Sequence, residues 1–137
     1  MIRESNSAEE TESIAGEFAR TLSAGVCVAL EGDLGAGKTA FVRGLVRGLG
    51  GDVRQVSSPT FVLMHIYDTS SLKVFHLDAY RVGGADDFES IGFSELLEQG
   101  GVVIVEWASR VTSIIPTDAI HISISATGEN ARTIEVL

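Results

Sequence analysis

Two spacings of apolar residues run through the chain, one with the period of a helix and one with that of strands. Ile14, Phe18 and Leu22 recur every four residues and mark one apolar helix face. Ser7-Ala8-Glu9-Glu10 before them is a capping-box pattern, with Ser7 as N-cap and Glu10 reaching back. Gly25 is expected to close this helix as the residue after its C-cap. Residues 26–30, V-C-V-A-L, form a continuous apolar run that predicts a buried strand. A second helix is predicted over 39–49, with Phe41, Leu45 and Leu49 in one row and Val42 and Val46 in the next. Gly44 and Gly48 each weaken it by about 1 kcal/mol on propensity, so packing or a ligand must hold it. Gly50-Gly51 end it.

Beyond residue 51 the strand rhythm takes over. Residues 57–60, S-S-P-T, form a loop around Pro59. Two β-type runs follow, 61–67 and 72–77, and the short link D-T-S-S predicts an antiparallel hairpin. A polar stretch opening at Gly83-Gly84 leads to a short helical region ending near Leu97. Gly101 precedes the apolar run V-V-I-V at 102–105, and late β-type runs at 120–124 and 133–137 flank a turn at Gly128. These alternations predict an α/β fold of the P-loop NTPase type. Its central sheet is mostly parallel with antiparallel additions, and helices flank it. The expectation is one domain over residues 1–137, since no repeat or linker interrupts the pattern.

Composition adds exclusions. At 45% hydrophobic and 21% charged the usage is ordinary for a globular protein. No run of 18 or more apolar residues exists, and residues 1–6 lack the apolar core of a signal peptide, so a cytoplasmic protein without membrane contact is expected. Cys27, the sole cysteine, excludes an intrachain disulfide and reads as a small buried filler. His65, His76 and His121 form no local metal-ligand pair and read as structural or surface residues. The net charge of −9 excludes a protein that grips nucleic acid by its phosphates unaided.

Candidate chemistry concentrates at residues 32–39, G-D-L-G-A-G-K-T, which satisfy the phosphate-binding pattern G-x-x-x-x-G-K-[ST]. A strand leads in and a helix leads out, as the pattern requires. Glycines let backbone N–H groups approach phosphate oxygens, and the helix start adds the positive end of its dipole. Asp33, Leu34, Gly35, Ala36, Gly37, Lys38, Thr39 and Ala40 form the candidate nucleotide-contacting set. Lys38 would lie against the β- and γ-phosphates, and Thr39 would offer its hydroxyl to Mg2+. Such a site also needs acidic residues at strand ends. Glu106 follows the run at 102–105 and Asp78 follows V-F-H-L, although either also reads as an ordinary strand-terminal acid. Thr60 is a candidate γ-phosphate sensor or a turn threonine, and Trp107 a candidate wall of the nucleotide site, a partner contact or a core residue. Tyr80 and Arg81 follow Asp78 closely enough to reach the site. A guanine-reading Asn-Lys-x-Asp is absent, which favours ATP.

The ordered set G-D-L-G-A-G-K-T, S-P-T-F (58–61), H-L-D-A-Y-R (76–81) and E-W (106–107) resembles the TsaE family, over about residues 11–116. The resemblance implies a small ATPase that assists biosynthesis of threonylcarbamoyladenosine in tRNA. It implies ATP and Mg2+ as cofactors, and TsaB- and TsaD-like proteins as partners, with tRNA contacted only indirectly. Thr60, Asp78, Glu106 and Trp107 would then belong to the active site. Lys38 would neutralise charge, Thr39 and Glu106 would hold Mg2+, and Asp78 would orient the attacking water. Ala40, Ala79, Ala108 and Ser109 depart from the commonest family pattern without removing a phosphate or metal residue. Two other readings share these motifs. A small-molecule kinase would need an arginine-bearing lid, and residues 83–100 hold no Arg or Lys. A nucleotide-dependent adaptor would bind ATP with little hydrolysis.

Overall fold

A computed structural model of the protein describes residues 1–33, 35–57, 59, 63–80 and 84–137. Seven strands form one sheet in the order β1-β7-β6-β2-β5-β4-β3. They are β1 (Ile2–Ser5), β2 (Cys27–Glu31), β3 (Met64–Tyr67), β4 (Val74–Asp78), β5 (Val102–Glu106), β6 (Ile120–Ala126) and β7 (Arg132–Val136). The four central strands are parallel, through the pairs β6–β2, β2–β5 and β5–β4. The flanks are antiparallel, through β6–β7, β7–β1 and β4–β3. The sheet is therefore mixed, and the expected parallel character is confined to its centre. Every residue of β4 and β5 is buried, as suits strands covered on both faces.

Strand alternation sorts the core into two halves. Val28, Leu30, Val102, Ile104 and Ile122 face the helices α1 (Ala8–Ala19) and α2 (Lys38–Gly48). Cys27, Ala29, Val103 and Val105 face the opposite side, with Phe88 and Phe93. These two aromatics come from short helices α3 (Ala85–Ser90) and α4 (Phe93–Glu98), which Gly92 separates. The helical region expected there is thus two pieces. Residues Ala108–Ile114, to which the sequence reading assigned no element, form a 3-10 stretch.

The capping box forms with one shift. Glu10 N donates to Ser7 Oγ at 3.0 Å, but the return bond to Glu10 Oε2 comes from Asn6 N, at 3.1 Å. The helix stops at Ala19, ahead of the expected Gly25, because the chain tightens into three-residue turns. Thr21 N and Leu22 N donate to Phe18 O and Ala19 O, and Thr21 Oγ1 also donates to Phe18 O. Strand β1 was not expected. Its one apolar residue, Ile2, leaves no alternation to detect.

The glycines of α2 have a packing reason. A Cβ on Gly44 would lie 2.7 Å from Ala15 Cβ and still closer to Glu12 O, and one on Gly48 would lie 2.7 Å from Ala19 Cβ. Contact between α1 and α2 therefore requires a missing side chain at both positions. Arg43 and Arg47 add ion pairs to Glu12, at 3.4 and 3.2 Å.

Candidate functional site

The glycine-rich segment links the C-terminal end of β2 to the start of α2, at the edge where the parallel strands all end. Ligands bind at this edge in open α/β sheets. Gly35 and Gly37 hold φ of 78° and 104°, a backbone that side-chain-bearing residues rarely adopt. A Cβ at Gly35 would meet nothing within 4 Å, so the loop opens outward there. Lys38, Thr39 and Ala40 form the first turn of α2, whose N–H groups have no acceptor within the helix. Asp33 and Gly35 are exposed, Ala36 and Lys38 are buried, and Gly37, Thr39 and Ala40 are half-buried.

Around Lys38 the predicted residues converge. Its Nζ donates to Gly32 O at 2.6 Å and lies 3.6 Å from Glu106 Oε1. The two side chains are only 6% and 4% exposed, so this is a buried pair of opposite charges. The Trp107 ring centroid is 4.3 Å from the same nitrogen. Cation and ring face at that range attract, more strongly when shielded from water. Trp107 takes the left-handed conformation, φ 58° and ψ 38°, which turns the chain sharply after β5. Tyr80 packs against the same ring, with centroids 5.0 Å apart.

Asp78 and Glu106 are register partners at the ends of β4 and β5. Alternation puts both on the sheet face that carries α2. Asp78 is buried, and its Oδ1 accepts from Tyr80 N at 2.8 Å. The strand end is further pinned by Ala79 N, which donates to Glu106 O at 2.9 Å. Thr60, Leu34 and Arg81 lie outside the described residues.

Three more residues join this group. His76 is fully buried, and its Nε2 lies 2.5 Å from Glu106 Oε2. Its Nδ1 is 2.9 Å from Tyr67 Oη, which lies 3.0 Å from Ser57 O. Burial raises the Tyr67 hydroxyl above its ordinary pKa; the Ser57 N–H directed at Oη opposes this and the Glu106 charge adds to it. The phenol therefore stays protonated near neutrality. A usable signal existed for His76: two residues before Asp78 in a strand, it shares that residue's face. Arg132 on β7 donates to Gly35 O at 3.1 Å, bracing the loop from a residue 97 positions away. No local pattern announces such a contact.

Among the described residues no group of three or more His, Cys, Asp or Glu is arranged to hold a metal ion. Mg2+ at nucleotide sites commonly takes one or two protein ligands together with substrate oxygens and water. A Thr39 hydroxyl at the helix start and a carboxylate at the neighbouring strand end are a donor set of that kind.

The chain is similar to known proteins over nearly its whole length. A "tRNA threonylcarbamoyladenosine biosynthesis protein TsaE" of Bacillus subtilis is 40% identical over 126 residues, 92% of this chain and 78% of the relative. The protein of that name from Treponema pallidum is 39% identical over 132 residues, 96% of each chain. A crystal structure of Bacillus subtilis YdiB superposes with a TM-score of 0.79 at 31% identity, covering 98% of this chain and 82% of that one. The family model described as "Threonylcarbamoyl adenosine biosynthesis protein TsaE" matches residues 5–134, and the chain belongs to the TsaE family.

Proposed function

We propose that the chain is a P-loop ATPase that supports threonylcarbamoyladenosine formation in tRNA, acting with TsaB- and TsaD-like partners. Family membership and the names of its relatives support the pathway. The observation that carries the ATPase reading is the convergence of Lys38, Glu106 and Trp107 beside an outward-opening glycine loop, with Asp78 in register. In this reading N–H groups of the loop and of the first turn of α2 cradle the phosphates, joined by the Lys38 ammonium. Thr39 and Glu106 would hold Mg2+, which would supply charge neutralisation at the phosphate oxygens. Asp78 accepts a hydrogen bond from the attacking water and so orients it, and Trp107 walls the site. Asp33, Leu34, Gly35, Ala36, Gly37 and Ala40 complete the nucleotide-contacting set. Thr60 is assigned to sensing the γ-phosphate. A hollow of about 100 Å3 lined by Ala8, Thr11, Gly37, Ala40, Asn130 and Arg132 adjoins the loop.

No arginine is assigned to the transferring phosphate, so hydrolysis by the isolated chain is expected to be slow, with stimulation by partners. The test compares ATP hydrolysis by the native chain and Lys38→Ala, each alone and with TsaB- and TsaD-like proteins. Partner-stimulated hydrolysis at least about 100-fold lower in the variant is the expected result. Equal rates would overturn the assignment. Tight ATP binding without hydrolysis under any partner condition would replace it with the adaptor reading.

A further inference from the structure

Glu106 sends its two oxygens to different partners, and the distances are unequal. Oε2 is 2.5 Å from His76 Nε2, while Oε1 stops 3.6 Å from Lys38 Nζ. A charge-assisted N–H···O bond closes to about 2.7–2.9 Å when nothing prevents it. Both side chains are buried, where opposite charges attract more strongly than in water. Yet the ammonium makes its short contact, 2.6 Å, with the neutral Gly32 carbonyl. Something holds the carboxylate back.

The strands supply the restraint. His76 and Glu106 sit on one face of adjacent parallel strands, two register steps from β4 to the end of β5. An ionised carboxylate only accepts hydrogen bonds, so Nε2 carries the proton and pulls Oε2 toward β4. With that proton on Nε2, Nδ1 is the acceptor, and the Tyr67 hydroxyl donates to it at 2.9 Å and fixes the ring from behind. The Tyr67 oxygen in turn accepts from Ser57 N at 3.4 Å and lies 3.2 Å from His65 Nδ1. Ring and phenol are both buried, so neither swings freely.

We propose that His76 is a positioning residue that keeps Glu106 from closing on Lys38, leaving the lysine ammonium available to an anionic ligand. This rests on the reading that Lys38 meets nucleotide phosphates. Without the imidazole, Glu106 closes to a full hydrogen-bonded pair, and ATP must then break that pair to bind. The restraint matters most before a metal arrives, since Mg2+ would give the carboxylate a cation of its own.

Trp107, the only tryptophan, lies beside the Lys38 ammonium and reports binding by its fluorescence. ATP is titrated without Mg2+ into the native chain, His76→Leu, Glu106→Gln and the double variant. His76→Leu is expected to weaken binding about tenfold, the scale of one charge-assisted hydrogen bond. In the Glu106→Gln background the same change is expected to cost less than about twofold, because no charge remains to trap Lys38. Equal losses in both backgrounds mean a merely structural histidine and overturn the proposal, as does no loss in either. If His76→Leu does not fold by circular dichroism, Tyr67→Phe takes its place. A smaller loss, again confined to the Glu106 background, is then expected, and a loss independent of that background overturns the proposal. No ATP binding by the native chain overturns the proposed function and this inference with it. Native binding with a flat cycle overturns this inference alone.

Discussion

Single residues here owe their chemistry to burial. Cys27 is 2% exposed, and its thiol is pushed up to about 12, first by desolvation and then by the negative charge of Asp118. Only the thiolate is nucleophilic. Alkylation of the native chain at pH 8 is therefore expected to be slower than that of the urea-unfolded chain by at least about 100-fold. The native rate should rise about tenfold per pH unit up to pH 10. A native rate matching the unfolded one would show that the thiol is reachable. The filler role was legible in the sequence because a cysteine inside V-C-V-A-L has no other plausible neighbour. The Glu106–His76 bond was half legible. Alternation already placed His76 and Asp78 on one face, but nothing local says that β5 lies next to β4. Pairing of strands distant in sequence is a tertiary fact, and the bond follows from it.

At the scale of elements, α2 shows propensity yielding to contact. Gly44→Ala improves helix propensity by about 1 kcal/mol. Against that, the new methyl would overlap the Glu12 backbone and Ala15. The net expectation is a destabilisation of about 1–3 kcal/mol, read as a fall in melting temperature of several degrees. Gly128→Ala is the control, since its Cβ would meet Ala131 at an ordinary 3.4 Å, and a shift below about 0.5 kcal/mol is expected. A Gly44→Ala variant as stable as the native chain would mean that α1 and α2 separate without penalty. The predicted helix needed something beyond its own sequence, and α1 is that partner. Most elements were visible from periodicity to within one or two residues at an end. The exceptions share a cause: β1, the early end of α1 and the 3-10 stretch at Ala108–Ile114 are set by hydrogen bonds rather than by an apolar repeat.

For the whole molecule the net charge of −9 sets the long-range field. A chain of that charge repels a polyanion, and one buried lysine cannot offset it. Gel-shift titration of tRNA with the isolated chain is expected to show no saturable complex up to about 50 μM at low salt, where a direct binder would show its tightest association. A saturable complex would revise the view that tRNA is met only through partners. On the proposed function, the same field slows the approach of ATP. Its association rate is expected to rise modestly with ionic strength, opposite in sign to steered binding, as stopped-flow Trp107 fluorescence would show. Sheet order was the least legible level. The apolar runs at 26–30 and 102–105 announced central strands, whereas a seven-stranded sheet with antiparallel flanks depends on which strand meets which.

Strand β1 pairs with β7, Ile2 opposite Glu135 and Ser5 opposite Arg132. During synthesis β1 leaves the ribosome long before β7 and must wait for it. Arg132, which braces the glycine loop at Gly35, arrives equally late. The nascent chain can assemble its parallel centre and pack α1 against α2, but it cannot finish the loop. On the proposed function, competence for nucleotide thus waits for β7, and a chain stalled before it would be folded only in part.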